Sequence, residues 1–229
     1  MRVWYAEAMK VARQPTAGYI GAMLWAFSIQ YYIVQIVVAA AWPANIGFSW
    51  TTNTISDLAN TVCGPYGNRL VCSPLHSYMN ASFIVLGVTM IIGAYLMQKA
   101  LQAGRWAAVG FGCMATAGVG TILVGLFPEN SVSFFHILGA GLTFTLGNIA
   151  MILIGLSLKQ LRRALRGYTV ASGVIGLIGT VLFVTHVYLG IGGGTIERLA
   201  AYPQSIWMII FGIAAIRVFV FRSVPVPRV

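Results

Sequence analysis

The sequence predicts an all-α, polytopic membrane protein: one domain over residues 1–229, a bundle of six transmembrane helices with both termini cytoplasmic. Three observations predict it. Of 229 residues, 59% are apolar and only 8% charged, against roughly a quarter charged in a soluble domain, and mean hydropathy is +0.84. The apolar residues gather in runs of helical length, about 20 residues each, without the alternation of a membrane β-strand. The basic residues fall almost entirely on one side of those runs. This composition excludes a soluble globule and a disordered chain, and three cysteines exclude a disulfide-built miniprotein.

Read between charges and turn residues, the runs lie near 18–41, 74–98, 106–127, 134–157, 168–191 and 202–220. Ser73-Pro74 reads as N-cap and first helical residue of the second span, and Asn130 or Ser131 as the cap of the fourth. Thr195, after Gly192-Gly193-Gly194, reads as the cap of a short helix leading to Pro203 and the sixth span. The one long connection is the outer loop 42–73.

Twelve basic residues share the side of the termini: Arg2, Lys10, Arg13, Lys99, Arg105, Lys159, Arg162, Arg163, Arg166, Arg217, Arg222 and Arg228. Only Arg69 and Arg198 lie opposite. That bias orients the termini inward, in a plasma membrane or bacterial inner membrane. It accounts for the net charge of +10 through topology and attraction to anionic lipid, with no nucleic-acid partner. Asp57, Glu129 and Glu197 fall on the outer side, which insertion does not require.

Cys63 and Cys72 flank a Gly-Pro-Tyr-Gly-Asn turn in the outer loop. Their side of the membrane favours a disulfide over two free thiols, and no CxxC spacing supports metal binding. Trp42, Ile46, Phe48, Trp50, Ile55 and Leu58 make the loop too apolar to stand in water, so it is expected to fold back as a lid or lie along the interface.

His76, His136 and His186 all fall near outer helix ends, beside Ser56, Asp57, Asn60, Glu129, Asn130, Glu197 and Arg198. Three imidazoles are the raw material of a zinc site with a carboxylate orienting water, or of metal-free proton transfer with Asp57 or Glu129 as acid or base. Interfacial hydrogen bonding explains each histidine equally well, and no HExxH spacing is present. Glu197 suits a helix start, and Arg198 is expected to pair with an outer carboxylate, Asp57 or Glu129, holding the loop down. Gly173, Gly176 and Gly179 in the fifth span and Gly139, Gly141 and Gly147 in the fourth predict close helix approach, with Asn148 and Thr143 bonding between helices. An offset of 60 residues superposes His76 on His136 and Lys99 on Lys159, a faint repeat.

Three segments carry a resemblance: LVGLFPENSVSFFHILGA at 123–140, GGGTIERLAAYPQSIWMIIFG at 192–212, and TISDLANT at 54–61. Together they resemble the six-helix membrane family catalogued as domain of unknown function nine-nine-eight. The resemblance implies a six-helix bundle. It marks Phe127, Pro128, His136, Glu197, Arg198, Tyr202, Pro203 and Trp207 as family positions, and implies no activity. His76, His186 and the cysteine pair lie outside its pattern.

The resulting expectation is an outward-facing pocket of an enzyme acting on a lipid or other hydrophobic substrate. The reaction would be hydrolysis, or acid-catalysed cyclisation of an isoprenoid. Asp57, Glu129, His136, Glu197 and Arg198 are the candidate catalytic residues, and His76, His136 and His186 the candidate metal ligands. The rival expectations are a non-catalytic partner subunit and a small transporter. A transporter should show polar groups at the bilayer midplane, where these spans read as mostly clean.

Overall fold

The computed structural model describes residues 14–220 apart from 103 and 160. It holds six helices long and apolar enough to cross a membrane: α1 (Pro15–Ala40), α2 (His76–Leu101), α3 (Arg105–Leu126), α4 (Ser133–Ser157), α5 (Arg163–Val184) and α6 (Gly193–Val220). A 3₁₀ stretch, Phe27–Ile29, interrupts α1. Between α1 and α2, a second 3₁₀ turn at Ser56–Ala59 precedes a two-stranded hairpin, β1 (Gly64–Tyr66) and β2 (Arg69–Val71), with Gly64 opposite Val71. Arg2, Lys10, Arg13, Arg222 and Arg228 lie outside the described residues.

Each helix packs on the next in sequence, and α6 returns to α1. The closure is aromatic: Trp25 of α1, fully buried, has its ring 5.2 Å from Trp207 and 5.7 Å from Phe211 of α6. The outer faces carry Ile33, Ile36, Ile137, Val181 and similar exposed apolar side chains, a surface suited to lipid tails. Lipid gives no hydrophobic force between helices, so close packing must hold them together. A Cβ on Gly120 would stand 2.5 Å from Gly139 O, and one on Gly179 2.6 Å from Ala200 N. Gly141, by contrast, faces open space.

Several boundaries differ from those read in the sequence. α2 begins at His76 with Leu75 as N-cap, because Ser73 Oγ donates instead to Leu58 O at 2.6 Å. Asn130 bonds Thr61, and Ser131 bonds Pro128 O, so neither caps α4. α5 starts at Arg163 and stops at Val184. The stop is a Schellman motif: His186 N–H reaches Phe183 O, Val187 N–H reaches Leu182 O, and His186 adopts the left-handed conformation, φ 56°. α6 is one helix from Gly193 with Pro203 inside it, not a short helix and a span. Proline removes a backbone donor, and Asn148 Nδ2 of α4 bonds the carbonyl of Ala200 nearby, at 3.0 Å.

Candidate functional site

The outer loop folds back over one end of the bundle and buries Ile55, Leu58 and Ala59. The segment Thr54-Ile55-Ser56-Asp57 forms a reciprocal cap. Asp57 N–H donates to Thr54 Oγ1 at 3.0 Å, and the Asp57 carboxylate accepts from Thr54 N–H at 2.9 Å. Asn53 Nδ2 adds a third bond, 3.1 Å, to the same carboxylate. Arg69 of β2 then takes Asp57 in a fork, both N–O distances 2.6 Å, and stands 3.7 Å from Glu129. Glu129, between α3 and α4, accepts from Asn60 at 2.9 Å, and Tyr66 O–H donates to its backbone carbonyl. The Cys63–Cys72 disulfide is formed and closes the hairpin that carries Arg69.

Burial pulls the Asp57 carboxyl upward, but the Arg69 bonds and charge outweigh it and hold the group below its ordinary value. Burial, together with the Asp57 charge, pushes Glu129 up to about 9. Arg69 and an ionised Asp57 thus form a pair beside a protonated Glu129.

Glu197 and Arg198, in the first turns of α6, grip opposite ends of the segment 50–56. The buried Glu197 carboxylate accepts from Ile55 N–H and lies 3.1 Å from Ser56 Oγ. Ser56 Oγ is also 3.1 Å from His136 Nε2. His136 Nδ1 lies 2.9 Å from Phe127 O. A carbonyl cannot donate, so Nδ1 carries the proton and Nε2 presents its lone pair to Ser56. Arg198 Nη1 meets the carbonyls of Trp50, Asn53 and Gly194 at 2.8–2.9 Å. Such closeness needs glycine: a Cβ on Gly194 would sit 2.1 Å from Asn53 O.

Ser56 and Glu197 stand at the edge of an internal cavity that runs down the ring axis past Phe144 and Thr143 to Gln204 and Ser205. Its space for water centres is about 30 Å³, room for a few ordered waters. Polar groups therefore continue below the outer end. Thr121 and Thr143 hydroxyls meet at 3.1 Å, Tyr32 meets Ser205 at 2.6 Å, and Gln30 bonds Ser82 at 2.8 Å. The sequence reading named Thr143 but missed its partner and the other pairs, because each polar residue lies singly within an apolar run.

The three histidines are not brought together. Among the described residues, no group of three or more His, Cys, Asp or Glu side chains forms a possible metal site. Both His136 nitrogens are engaged, His186 is exposed beyond α5 and bonds Tyr188 at 2.8 Å, and His76 opens α2. These residues do not fit zinc. Arg198 also departs from expectation: it binds carbonyls, and it is Arg69 that pairs with Asp57 and approaches Glu129. Arg69 and the role of Ser56 were not singled out from the sequence, although Thr54-x-x-Asp57 is a legible capping signature.

Fold and site together define a multi-pass membrane protein whose long loop is clamped over a bundle with a polar interior. The chain belongs to the family described as protein of unknown function (DUF998), which it matches over residues 26–214. No curated protein and no solved structure matches it.

Proposed function

We propose that this protein is a serine-dependent hydrolase of ester-bearing lipids, working at the non-cytoplasmic leaflet. One observation carries the reading: Ser56 Oγ lies 3.1 Å from His136 Nε2 and 3.1 Å from Glu197 Oε1 at the edge of an enclosed cavity. A serine hydroxyl becomes a nucleophile when an adjacent base accepts its proton. His136 has the tautomer for that task, oriented by the Phe127 carbonyl as a triad histidine is oriented by its third member. At rest the Ser56 hydroxyl donates to Glu197 Oε1; rotated toward Nε2, 3.1 Å away, it gives its proton there as Oγ attacks the ester carbonyl. The histidine then protonates the leaving alcohol, and water, activated by the same nitrogen, releases the acid. Glu197 is a positioning residue, tying Ser56 and the Ile55 amide to α6. Asp57 and Glu129 act at one remove: Asp57 is taken up by Asn53, Thr54 and Arg69, and neither lines the cavity, which weighs against the cyclase chemistry.

The test is a fluorophosphonate probe on the full chain in lipid nanodiscs. Labelling is expected on Ser56, absent from Ser56→Ala, and slowed on the order of a hundredfold in His136→Gln. Unlabelled Ser56 in folded protein, or equal rates in wild type and His136→Gln, would reject the reading.

A further inference from the structure

Arg198 is 8% exposed as a residue, yet only one of its three guanidinium nitrogens makes hydrogen bonds. Nη1 is shared among three carbonyls, while Nε and Nη2 are buried without a hydrogen bond of good geometry; the Tyr202 hydroxyl, which donates to Gln35, lies near enough to interact with the guanidinium. No carboxylate stands within ion-pair distance of it, since the ion pairs among the described residues belong to Arg69. Its sequence neighbour Glu197 turns away, toward Ile55 and Ser56. The Glu197 charge acts on Arg198 through space without a direct ion pair, and a buried cation with no carboxylate in contact is costly at membrane depth and usually marks a functional site. The idle Nε–Nη2 edge is the planar fork with which arginine holds a carboxylate or phosphate through two parallel bonds.

What covers the guanidinium is aromatic. Its carbon lies 5.0 Å from the Trp50 ring centroid and 5.9 Å from that of Phe48, and these two rings meet edge to face at 5.0 Å. Trp50 is 43% exposed. A ring face satisfies a cation weakly compared with an oxyanion, so the pair behaves as a cover that an anion can displace.

We propose that Arg198 binds an oxyanion, a phosphate or carboxylate, beneath the Phe48–Trp50 cover, and that this anion is the head group of the lipid whose ester reaches Ser56. The inference extends the hydrolase reading and names its substrate class: an acidic lipid carrying an ester. Arg198 and Glu197 are adjacent, and hold Asn53 O and Ile55 N–H of one short segment. Binding at the fork therefore fixes the head group next to the nucleophile and supplies the missing counter-charge.

Binding is measured on full-length Ser56→Ala protein in phosphatidylcholine nanodiscs, with no turnover, by tryptophan fluorescence and a Trp50→Phe control. Lysophosphatidic acid should give a saturable change that the control loses, and lysophosphatidylcholine should give none. Inorganic phosphate separates the two sources of the anion: competition only at much higher concentration supports the lipid, whereas equal potency overturns the head-group assignment. Arg198→Lys keeps the charge but loses the fork, and should weaken binding at least tenfold; Arg198→Gln should abolish it. Wild-type affinity in a folded Arg198→Lys protein, or no saturable binding of lysophosphatidic acid, overturns the proposal. Binding that obeys these rules while wild type leaves the fluorophosphonate probe untouched would reject the hydrolase and leave the anion site standing.

Discussion

Arg69 grips Asp57 through two bonds of 2.6 Å and keeps it ionised, while burial and that neighbouring charge raise Glu129. Glu129 holds its proton to about 9 in the fold, against 4.5 when free. The native state therefore binds more protons than the unfolded state between those values, and this group's contribution to stability falls as pH climbs through the window. Asp57, with its carboxyl lowered, contributes in the opposite sense, and that part disappears only below its free value of 3.8. The melting temperature in detergent should thus fall by several degrees from pH 5 to pH 9, and Glu129→Gln should flatten the slope. A Glu129→Gln protein with the wild-type slope would show that another group is responsible. Arg69→Met strands the fully buried Asp57 and should cost about 3 kcal/mol, as broken buried pairs do, readable as a fall in urea midpoint. At this scale the sequence was only partly legible. Depth along a helix placed His76, His136 and His186 at one end, but depth carries no azimuth, and a position at the very end does not say whether a residue continues the helix or stops it. His186 stops it.

Helices α1 to α4 are recognisable from hydropathy because twenty apolar residues in a row have one stable form in lipid. Helix α6 is recognisable as a span over 202–220 but not as one helix from Gly193, because Gly192-Gly193-Gly194 and Pro203 read as breaks. Pro203 deprives the Leu199 carbonyl, four residues earlier, of its helical donor; one residue on, Asn148 of α4 ties the helix from outside, spanning from Phe144 O, 2.6 Å, to Ala200 O, 3.0 Å. That bridge requires the small face of α5, where a Cβ on Gly176 would lie 1.9 Å from Asn148 Oδ1. Gly176→Ala should therefore destabilise by about 1–3 kcal/mol, the range for overpacking, while Gly141→Ala, with open space beside it, should be neutral. Equal melting temperatures for the two variants would contradict this account. Glycine spacing alone marks both positions alike, since it does not reveal which face meets a neighbour.

Across the whole molecule, the site draws on elements from both ends of the chain: Ser56 from the loop after α1, His136 from α4, Glu197 and Arg198 from α6. Cys63–Cys72 is the covalent tie within that loop. Closing so short a segment is worth about 2.5 kcal/mol by loop entropy. Because Arg69 sits inside the closed segment, Cys63→Ser with Cys72→Ser should lower the melting temperature and also weaken the pH dependence set by Glu129. Both termini are expected on the cytoplasmic side, so a carboxy-terminal fluorescent reporter should light and an alkaline phosphatase fusion there should stay inactive.

The ring of helices in sequence order bears on how the protein is made. Helices α1 to α5 can each dock on the one inserted before it, as synthesis proceeds. The loop that carries Ser56 is synthesised long before Glu197 and Arg198 leave the ribosome, so it is fastened only when the last helix fills the seam against Trp25. On the proposed hydrolase reading, the site is therefore complete only once α6 is in place, because Glu197 and Arg198 tie the loop to that helix.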